Sequence, residues 1–160
     1  MADIVNDGMT RVCFVPAIVD TAAPTTTEIA AGQDLESFLT PDGLGMEFGN
    51  ESVDVTALSS TYNAELPGRQ TVSTELTFKF QGDTAAPFST FASKPEGFIV
   101  LRRNVTASQA WAENDVCEVY AVQIGTRRRN APAANEVLKF TVQAFHTAAP
   151  VFGATVAAGA

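Results

Sequence analysis

The chain has 160 residues and a formal net charge of -8, with 46% hydrophobic and 18% charged residues. This composition excludes a wholly disordered chain, and the length fits one domain that buries about 70% of its unfolded surface. No basic and apolar leader pattern opens the chain, and no apolar run approaches the ~20 residues of a membrane span. We therefore expect a single domain over 1–160, with no export signal and no membrane partner.

The first part of the chain is predicted to combine a flexible arm with one strand. Residues 1–10 are polar and contain a glycine, which is typical of a loose arm. A strand is expected over Arg11–Val19, and Pro16 within it indicates an edge position or a bulge. Its inward face is predicted to carry Val12, Phe14 and Ile18.

Loops are predicted from residue 20 to residue 52. The sequence DTAAPTTTEIAAGQ is typical of a loop, and DLESFL fits either one helical turn or a short strand. Residues 41–52 carry three glycines and a proline, so we expect a mobile, glycine-rich loop there.

A long β-hairpin is predicted next, with a type II turn at Pro67-Gly68. Its second arm alternates regularly, which is typical of a strand with one buried and one wet face. The inward set is Val72, Thr74, Leu76, Phe78 and Phe80, and the outward set is Ser73, Glu75, Thr77 and Lys79. Residues 83–95 then change period, and we predict one flanking α-helix that covers a sheet face.

Strands are predicted for EGFIVLRR, DVCEVYAVQIG and NEVLKFTVQAFH, and residues 148–160 are expected to be a weakly structured C-terminal tail. The triplet Arg127, Arg128 and Arg129 then falls at the tip of a hairpin between the last two strands. The predicted fold is mainly β: an antiparallel β-sandwich or partly open barrel with one flanking α-helix.

The sequence offers little for catalysis. His146 is the single histidine, no metal-binding or phosphate-binding motif is present, and Cys13 and Cys117 are interpreted as small buried hydrophobes. A Cys–His pair, or Glu113 with Asp115 beside Trp111, is far more often structural than catalytic. We expect a protein that is not an enzyme and that needs no cofactor or metal.

The arginine triplet has three open interpretations: a contact with nucleic acid, a solvated hairpin tip, or a contact between copies of the chain. The net charge of -8 opposes the first. The first 66 residues hold eleven acids and one base, whereas the remainder holds seven acids and nine bases. This asymmetry favours attraction between copies, and repeated head-to-tail contacts give rings or filaments.

The order of segments resembles the major tail tube proteins of long, non-contractile-tailed bacteriophages. The resemblance rests on AAGQDLESFLTPDGLG, LTFKFQGD, GFIVLRRN, YAVQIGTRRRNAPAANEVLKFTVQAF and TAAPVFGATVAA, and it covers nearly the whole chain. It implies a virion structural protein, assembled in the host cytoplasm, whose hexameric rings stack into a hollow tube for DNA delivery. It also implies other tail proteins as partners, namely the tape measure, the baseplate or tip, and the terminator.

Two groups of residues follow from that resemblance. Candidate ring or stacking contacts are Asp42, Gly43, Gly45, Glu47, Arg127, Arg128 and Arg129, besides the N-terminal arm. The lining of a DNA conduit should be acidic or hydroxylic, because lysines and arginines displace the counterions of DNA and make it stick. Candidate lumen residues are Asp54, Thr56, Ser73, Glu75 and Thr77.

Two alternatives stay open at this point. A tube of a contractile tail would change the machine and not the role, whereas the other alternative is a second function class. A monomeric or trimeric β-sandwich binding module, for capsid decoration or carbohydrate binding, would present an aromatic platform on its surface. Trp111 and Tyr120 are the residues from which such a platform would be built.

Overall fold

The structure, a computed structural model, describes residues 1–159. Nine strands form one antiparallel sheet, and the predicted mainly β fold is confirmed. The strands are β1 (Thr10–Val15), β2 (Gln33–Asp34), β3 (Leu39–Asp54), β4 (Glu65–Lys79), β5 (Glu96–Arg103), β6 (Val116–Ile124), β7 (Arg128–Arg129), β8 (Lys139–His146) and β9 (Val151–Thr155). Within residues 1–159, helical structure is limited to α1 (Thr26–Ala30) and a 3₁₀ helix at Thr90–Ser93.

The sheet is ordered β2-β1-β5-β6-β8-β4-β3 and forks at two places, where β9 pairs with β6 and β7 pairs with β8. It curls around an apolar interior without closing. Phe91 connects the two sides of this curl, because its ring centroid lies 5.4 Å from Phe14 on β1 and 5.6 Å from Phe78 on β4. The architecture is therefore a partly open barrel.

The central strands bury both faces, which explains the continuous apolar runs in their sequences. One face of β1, β5 and β6 contributes to the barrel interior, together with Phe78 and Phe140. The other face packs under α1 and the C-terminal segment and includes Cys13, Cys117 and Val100. The prediction that both cysteines are small buried residues is confirmed, and burial raises the pKa of Cys13 to about 12 and that of Cys117 to about 11.

Helix α1 lies in the segment predicted to be a loop. Thr25 and Glu28 form a capping box: the Glu28 backbone N–H donates to Thr25 Oγ1 at 3.2 Å, and the Thr25 N–H donates to Glu28 Oε2 at 2.9 Å. Hydrogen bonds from the backbone N–H groups of Thr25 and Val19 lower the pKa of Glu28. The pattern Thr-x-x-Glu is a known helix start, and it was the available signal in the sequence.

The α-helix predicted over 83–95 is wrong in type but correct in place. Residues 83–89 form turns, a 3₁₀ helix follows, and Lys94 ends it with a left-handed backbone (φ 53°). Phe88 and Phe91 do bury against the barrel interior. Burial of these two aromatic side chains fixes the position of the segment. One short turn is enough to place both of them, so no regular helix is needed.

The prediction of a loop over 41–52 is also wrong, because β3 pairs with β4 from Leu39 to Asp54. The register shifts between Leu39 and Leu44, where a Cβ on Gly43 would collide with the carbonyl oxygen of Thr77. At this position the glycine permits a close approach of two strands rather than a mobile loop.

The hairpin exists, but it does not turn at Pro67-Gly68. Those residues lie within β4, next to a second register shift, and the turn spans 55–64. Pro67 is tolerated because this part of β4 borders no strand other than β3. The predicted alternation of the second arm is confirmed from Ser73 to Phe78.

Three further expectations need correction. Ile18 packs in the second core and not with Val12 and Phe14, because β1 ends at Val15 and the chain bends at Pro16. The strand predicted for NEVLKFTVQAFH is shorter than expected, since β8 begins only at Lys139 and Leu138 is exposed. The C-terminal segment is not a weakly structured tail: it contains β9, and Ala154 and Val156 are buried.

Candidate subunit interface

The β3–β4 hairpin projects beyond the rest of the sheet. Strand β4 pairs with β8 only from Thr74 to Lys79, whereas its pairing with β3 continues outward to Glu65. Residues 47–54 and 65–73 thus form a two-stranded ribbon, here called the outer hairpin. A two-stranded ribbon is marginally stable alone in water, and its unpaired strand edges invite pairing with another chain.

Apolar side chains on this hairpin and beside it are open to solvent. Leu58 and Tyr62, in the turn, are 105% and 83% exposed. The hairpin and turn together expose Phe48, Val53, Val55, Leu58, Tyr62 and Leu66. Clustered exposed apolar surface of this kind marks an interaction surface.

A groove of about 520 Å³ lies where the outer hairpin leaves the sheet. It runs between residues 70–73 of β4 and residues 143–150, and His146 is the single titratable side chain among its lining residues. His146 Nε2 lies 2.6 Å from Thr74 Oγ1, and burial lowers the pKa of the imidazole. This contact makes His146 part of the hairpin root, and neither Cys13 nor Cys117 is among the residues that line the groove.

Three of the five lumen candidates share one polar face. Ser73, Glu75 and Thr77 alternate with the buried residues of β4, and Thr77 Oγ1 lies 3.3 Å from Thr141 Oγ1. Asp54 and Thr56 lie instead at the far end of the outer hairpin, beyond the register shift. There hydrogen bonds from the Thr56 side chain and from its backbone N–H, the latter at 2.8 Å, lower the pKa of Asp54.

The stacking candidates divide between two places. Asp42, Gly43, Gly45 and Glu47 all lie on β3, the long edge strand of the sheet. Gly45 pairs with Glu75 and Glu47 pairs with Ser73, so two of them share the polar face. The arginines lie elsewhere, on and just before β7.

The arginine triplet is not the tip of a hairpin. Arg128 and Arg129 form β7 and pair with Thr141 and Phe140 on β8, and the tip follows them at 130–138. Each side chain contacts a group of its own chain. Arg128 lies 3.5 Å from Glu75, and Arg129 forms an ion pair with Asp83.

Arg127 and Arg129 hold the segment that contains Phe80 and Phe88. The Arg127 guanidinium donates to the Phe88 carbonyl oxygen at 2.6 Å and lies 3.9 Å above the Phe88 ring. Arg129 lies 4.9 Å from the Phe80 ring. The triplet therefore has a role within the subunit, and Arg128, whose side chain is 64% exposed, is its most accessible member.

We expect Arg127→Ala to lower the free energy of unfolding by about 2 kcal/mol, because it removes a charge-assisted hydrogen bond and a cation–π contact. Urea denaturation of dilute, unassembled protein measures this change. Arg128→Ala is the matched control, and its exposed ion pair should contribute less than about 1 kcal/mol. Equal losses of stability in the two variants would show that Arg127 does not hold the segment that contains Phe88 in place.

Arg102 is a fully buried charged residue that the sequence analysis did not identify. Its side chain is fully buried and donates to the carbonyl oxygens of Thr106, Gln109 and Ala110 and, at 2.9 Å, to Asp115. It also lies 4.8 Å from the Trp111 ring. Through these contacts Arg102 holds the 104–115 loop in one conformation, and Asp115 takes part in a structural ion pair.

Trp111 and Tyr120 do not form the aromatic platform expected of a binding module. Tyr120 is fully buried in the barrel interior, and Trp111 packs against the second core on the opposite side of the sheet. The two rings that were to form the platform therefore cannot share a surface.

Solved structures with a similar fold come from tail-like particles. The chain is similar to one in the six-fold symmetrised baseplate of the anti-feeding prophage AFP (TM-score 0.58, 12% identity, 95% of this chain and 98% of that chain covered). It is also similar to a chain in the extended sheath-tube complex of the contractile injection system PVC (TM-score 0.58, 9% identity, 94% of this chain and 92% of that chain covered). A third similar chain belongs to the tail of the empty gene transfer agent particle, refined with C6 symmetry (TM-score 0.51, 16% identity, 96% of this chain and 100% of that chain covered). At these identities the likeness defines a class of fold: a β-structured subunit type found in tails and injection systems.

The sequence identifies the family within this class. The profile of the phage tail tube protein family matches residues 1–159, and the chain belongs to that family. No curated protein matches the chain in sequence. The resemblance found in the segment order is thus confirmed, and the protein is a structural component of a virion tail. No helix in the part of the chain that the structure describes is long and apolar enough to cross a membrane.

Proposed function

We propose that copies of this chain form hexameric rings that stack into a hollow tail tube, through which double-stranded DNA passes to the host. The observation that carries the proposal is the outer hairpin, a two-stranded ribbon with an open edge and exposed apolar side chains. Such a ribbon needs neighbours to be stable, and copies of the same chain supply them in a tube.

Six subunits per ring is the number supported by the structural neighbours. The AFP baseplate is described as six-fold symmetrised, and the gene transfer agent tail is described with C6 symmetry. Two-dimensional class averages of end-on rings or tube cross-sections test this number directly. Six-fold averages support the proposal, and any other rotational symmetry contradicts it.

The remaining partners follow from the same role. A tube must start at a baseplate or tip, reach a length set by a tape measure, and end at a terminator, so we propose proteins of these three kinds as partners. The chain acts in this machine by polymerising, and we propose no catalytic step and no cofactor.

We propose that the polar face of β4 lines the tube. Duplex DNA carries one negative charge per ~1.7 Å of axis and binds wherever cations displace its counterions. Ser73 and Thr77 offer neutral hydroxyl groups, and Glu75 offers a negative charge. Glu75 also engages Arg128 at 3.5 Å, so the nearest arginine on this face is partly neutralised.

Glu75→Lys is expected to leave tube assembly intact and to slow DNA release several-fold at low salt, because each ring would gain cations while Arg128 loses its partner. DNA release triggered in vitro from particles that carry the variant measures the effect, which should shrink as salt is added. Glu113→Lys changes the net charge equally, but on the exposed 104–115 loop, and serves as the control. Unchanged release from the Glu75 variant would remove this residue from the lining.

A further inference from the structure

Two like-charged residue pairs stand directly opposite each other across strands. Lys79 on β4 pairs with Lys139 on β8, and at the other end of β4 Glu65 pairs with Asp54 on β3. Directly opposed residues have Cβ atoms about 5 Å apart, and like charges in such positions destabilise the sheet. The isolated subunit therefore holds one basic pair and one acidic pair in a register where like charges repel unless another chain supplies the opposite charge.

Neither pair is fully neutralised within the subunit. Lys139 Nζ lies 3.0 Å from Glu136, but Lys79 has no carboxylate oxygen within 4 Å among residues 1–159. Asp7 and Glu36 line a surface cavity together with Lys79, but neither lies within ion-pair distance of it.

The acidic pair also lacks a basic partner, although hydrogen bonds from Thr56 stabilise the charged Asp54 carboxylate. Asp54 and Glu65 are exposed, and neither has a lysine or arginine within 4 Å in the described part of the chain. Glu47 and Glu51 add to the acidic character of the outer hairpin, where Arg69 is the one basic residue.

The two pairs lie at opposite ends of strand β4. Glu65 and Lys79 are the first and last residues of β4. At about 3.3 Å per residue, the fourteen steps between them span roughly 46 Å. One subunit cannot bring its own pairs together, but two copies placed end to end along the strand direction can.

We propose that the acidic pair Asp54–Glu65 of one copy docks on the basic pair Lys79–Lys139 of the copy in the next ring. This inference rests on the proposed tube and names the residues that hold adjacent rings in register. The contact joins two different surfaces of the same chain, so it does not close on a dimer and repeats along a stack. Each ring junction relieves both repulsions at once.

A second copy explains the arrangement better than DNA does. Phosphates could neutralise the lysines, but they would be repelled by Asp54 and Glu65 and would leave that pair without a partner. A copy of the same chain supplies two carboxylates for two ammonium groups, and it does so at both ends of every subunit.

Two charge-mirrored variants test the proposal. The first carries Asp54→Lys and Glu65→Lys. The second carries Lys79→Glu and Lys139→Glu. It also carries Glu136→Lys, which keeps an ion pair between positions 136 and 139 with the two charges exchanged. Each variant keeps its like-charged cross-strand pair, but Asp54→Lys also removes the hydrogen bond from the Thr56 backbone N–H. Thermal unfolding of the monomers is therefore measured first, and both variants should remain folded at the assembly temperature.

Each variant alone presents two ends of the same sign, and we expect at least a tenfold loss of rods by negative-stain electron microscopy. An equimolar mixture restores opposite ends and should form rods again. Rods from the unmodified chain should shorten between 0.1 M and 1 M NaCl, where the screening length falls from ~10 Å to ~3 Å.

The inference is overturned if either variant assembles alone like the unmodified chain, or if the mixture of two folded variants stays unassembled. Normal rods from the second variant combined with altered DNA release would assign the lysines to DNA instead. Failure of the proposed function itself looks different, because the unmodified chain would then form no rods at all.

Discussion

Arg102→Met is expected to lower the free energy of unfolding by about 3–5 kcal/mol, the loss typical of breaking a buried ion pair by removing one partner. Arg102 is fully buried and holds three carbonyl oxygens and the Asp115 carboxylate. Methionine can fill most of the space, but it leaves these acceptors without their donor, and each orphaned acceptor is costly. Urea denaturation of dilute protein measures the change.

The next residue provides the control. Arg103 also pairs with an acid, Glu118 at 3.0 Å, but its side chain is 56% exposed. Arg103→Met should therefore change stability by less than about 1 kcal/mol. If the two methionine variants lose the same stability, Arg102 does not organise the 104–115 loop as described.

Phe91→Ala is expected to lower the free energy of unfolding by about 3–5 kcal/mol, because it leaves a cavity in a closely packed core. Phe91 is fully buried and contacts Phe14 and Phe78, which lie on β1 and β4. Its ring therefore connects strands that the order of the sheet separates widely. Both chemical denaturation and the thermal midpoint should report the loss.

Phe48→Ala is the matched comparison, since Phe48 is 53% exposed on the outer hairpin and contacts Phe152 with a centroid distance of 5.9 Å. This variant should lose less than about 1 kcal/mol as a monomer, because half of its ring is already in water. Its larger effect should appear in assembly, as a higher protein concentration needed for rods. A Phe91→Ala monomer as stable as Phe48→Ala would contradict the packing assigned to Phe91.

The strands were predictable where packing and pattern agree. In β4 the alternation from Ser73 to Phe78 carries one buried face, and in β5 and β6 the apolar runs reflect burial on both faces. The sequence around Asp115 showed no such pattern, because the conformation of this turn depends on Arg102, a buried residue of β5. Burial of an arginine depends on tertiary contacts that local pattern does not encode.

The errors have a common physical origin. Gly43, Gly45 and Pro67 are breakers by local preference, yet each lies in a strand whose outer edge leaves room for a bulge or a missing donor. Similarly, the small residues at 151–156 looked unstructured, but they fit closely under β6 and bury Ala154 and Val156. Local propensity was overridden by the sheet in both cases.

The candidate interface was predictable only in part. Ser73, Glu75 and Thr77 share a face because alternation in a strand is local, whereas Asp54 and Thr56 were separated from them by a register shift that the sequence does not reveal. The arginine triplet was expected to seek acids on another copy. Asp83 and Glu75 of its own chain are the acids that it contacts.

Negative-stain electron microscopy of the purified chain at rising concentration tests most directly the claim that this subunit is completed by its own copies. We expect hollow rods of uniform diameter, built from rings, at moderate salt. Dispersed single particles at every concentration and salt tried, even with a tail tip complex added as a nucleus, would contradict it.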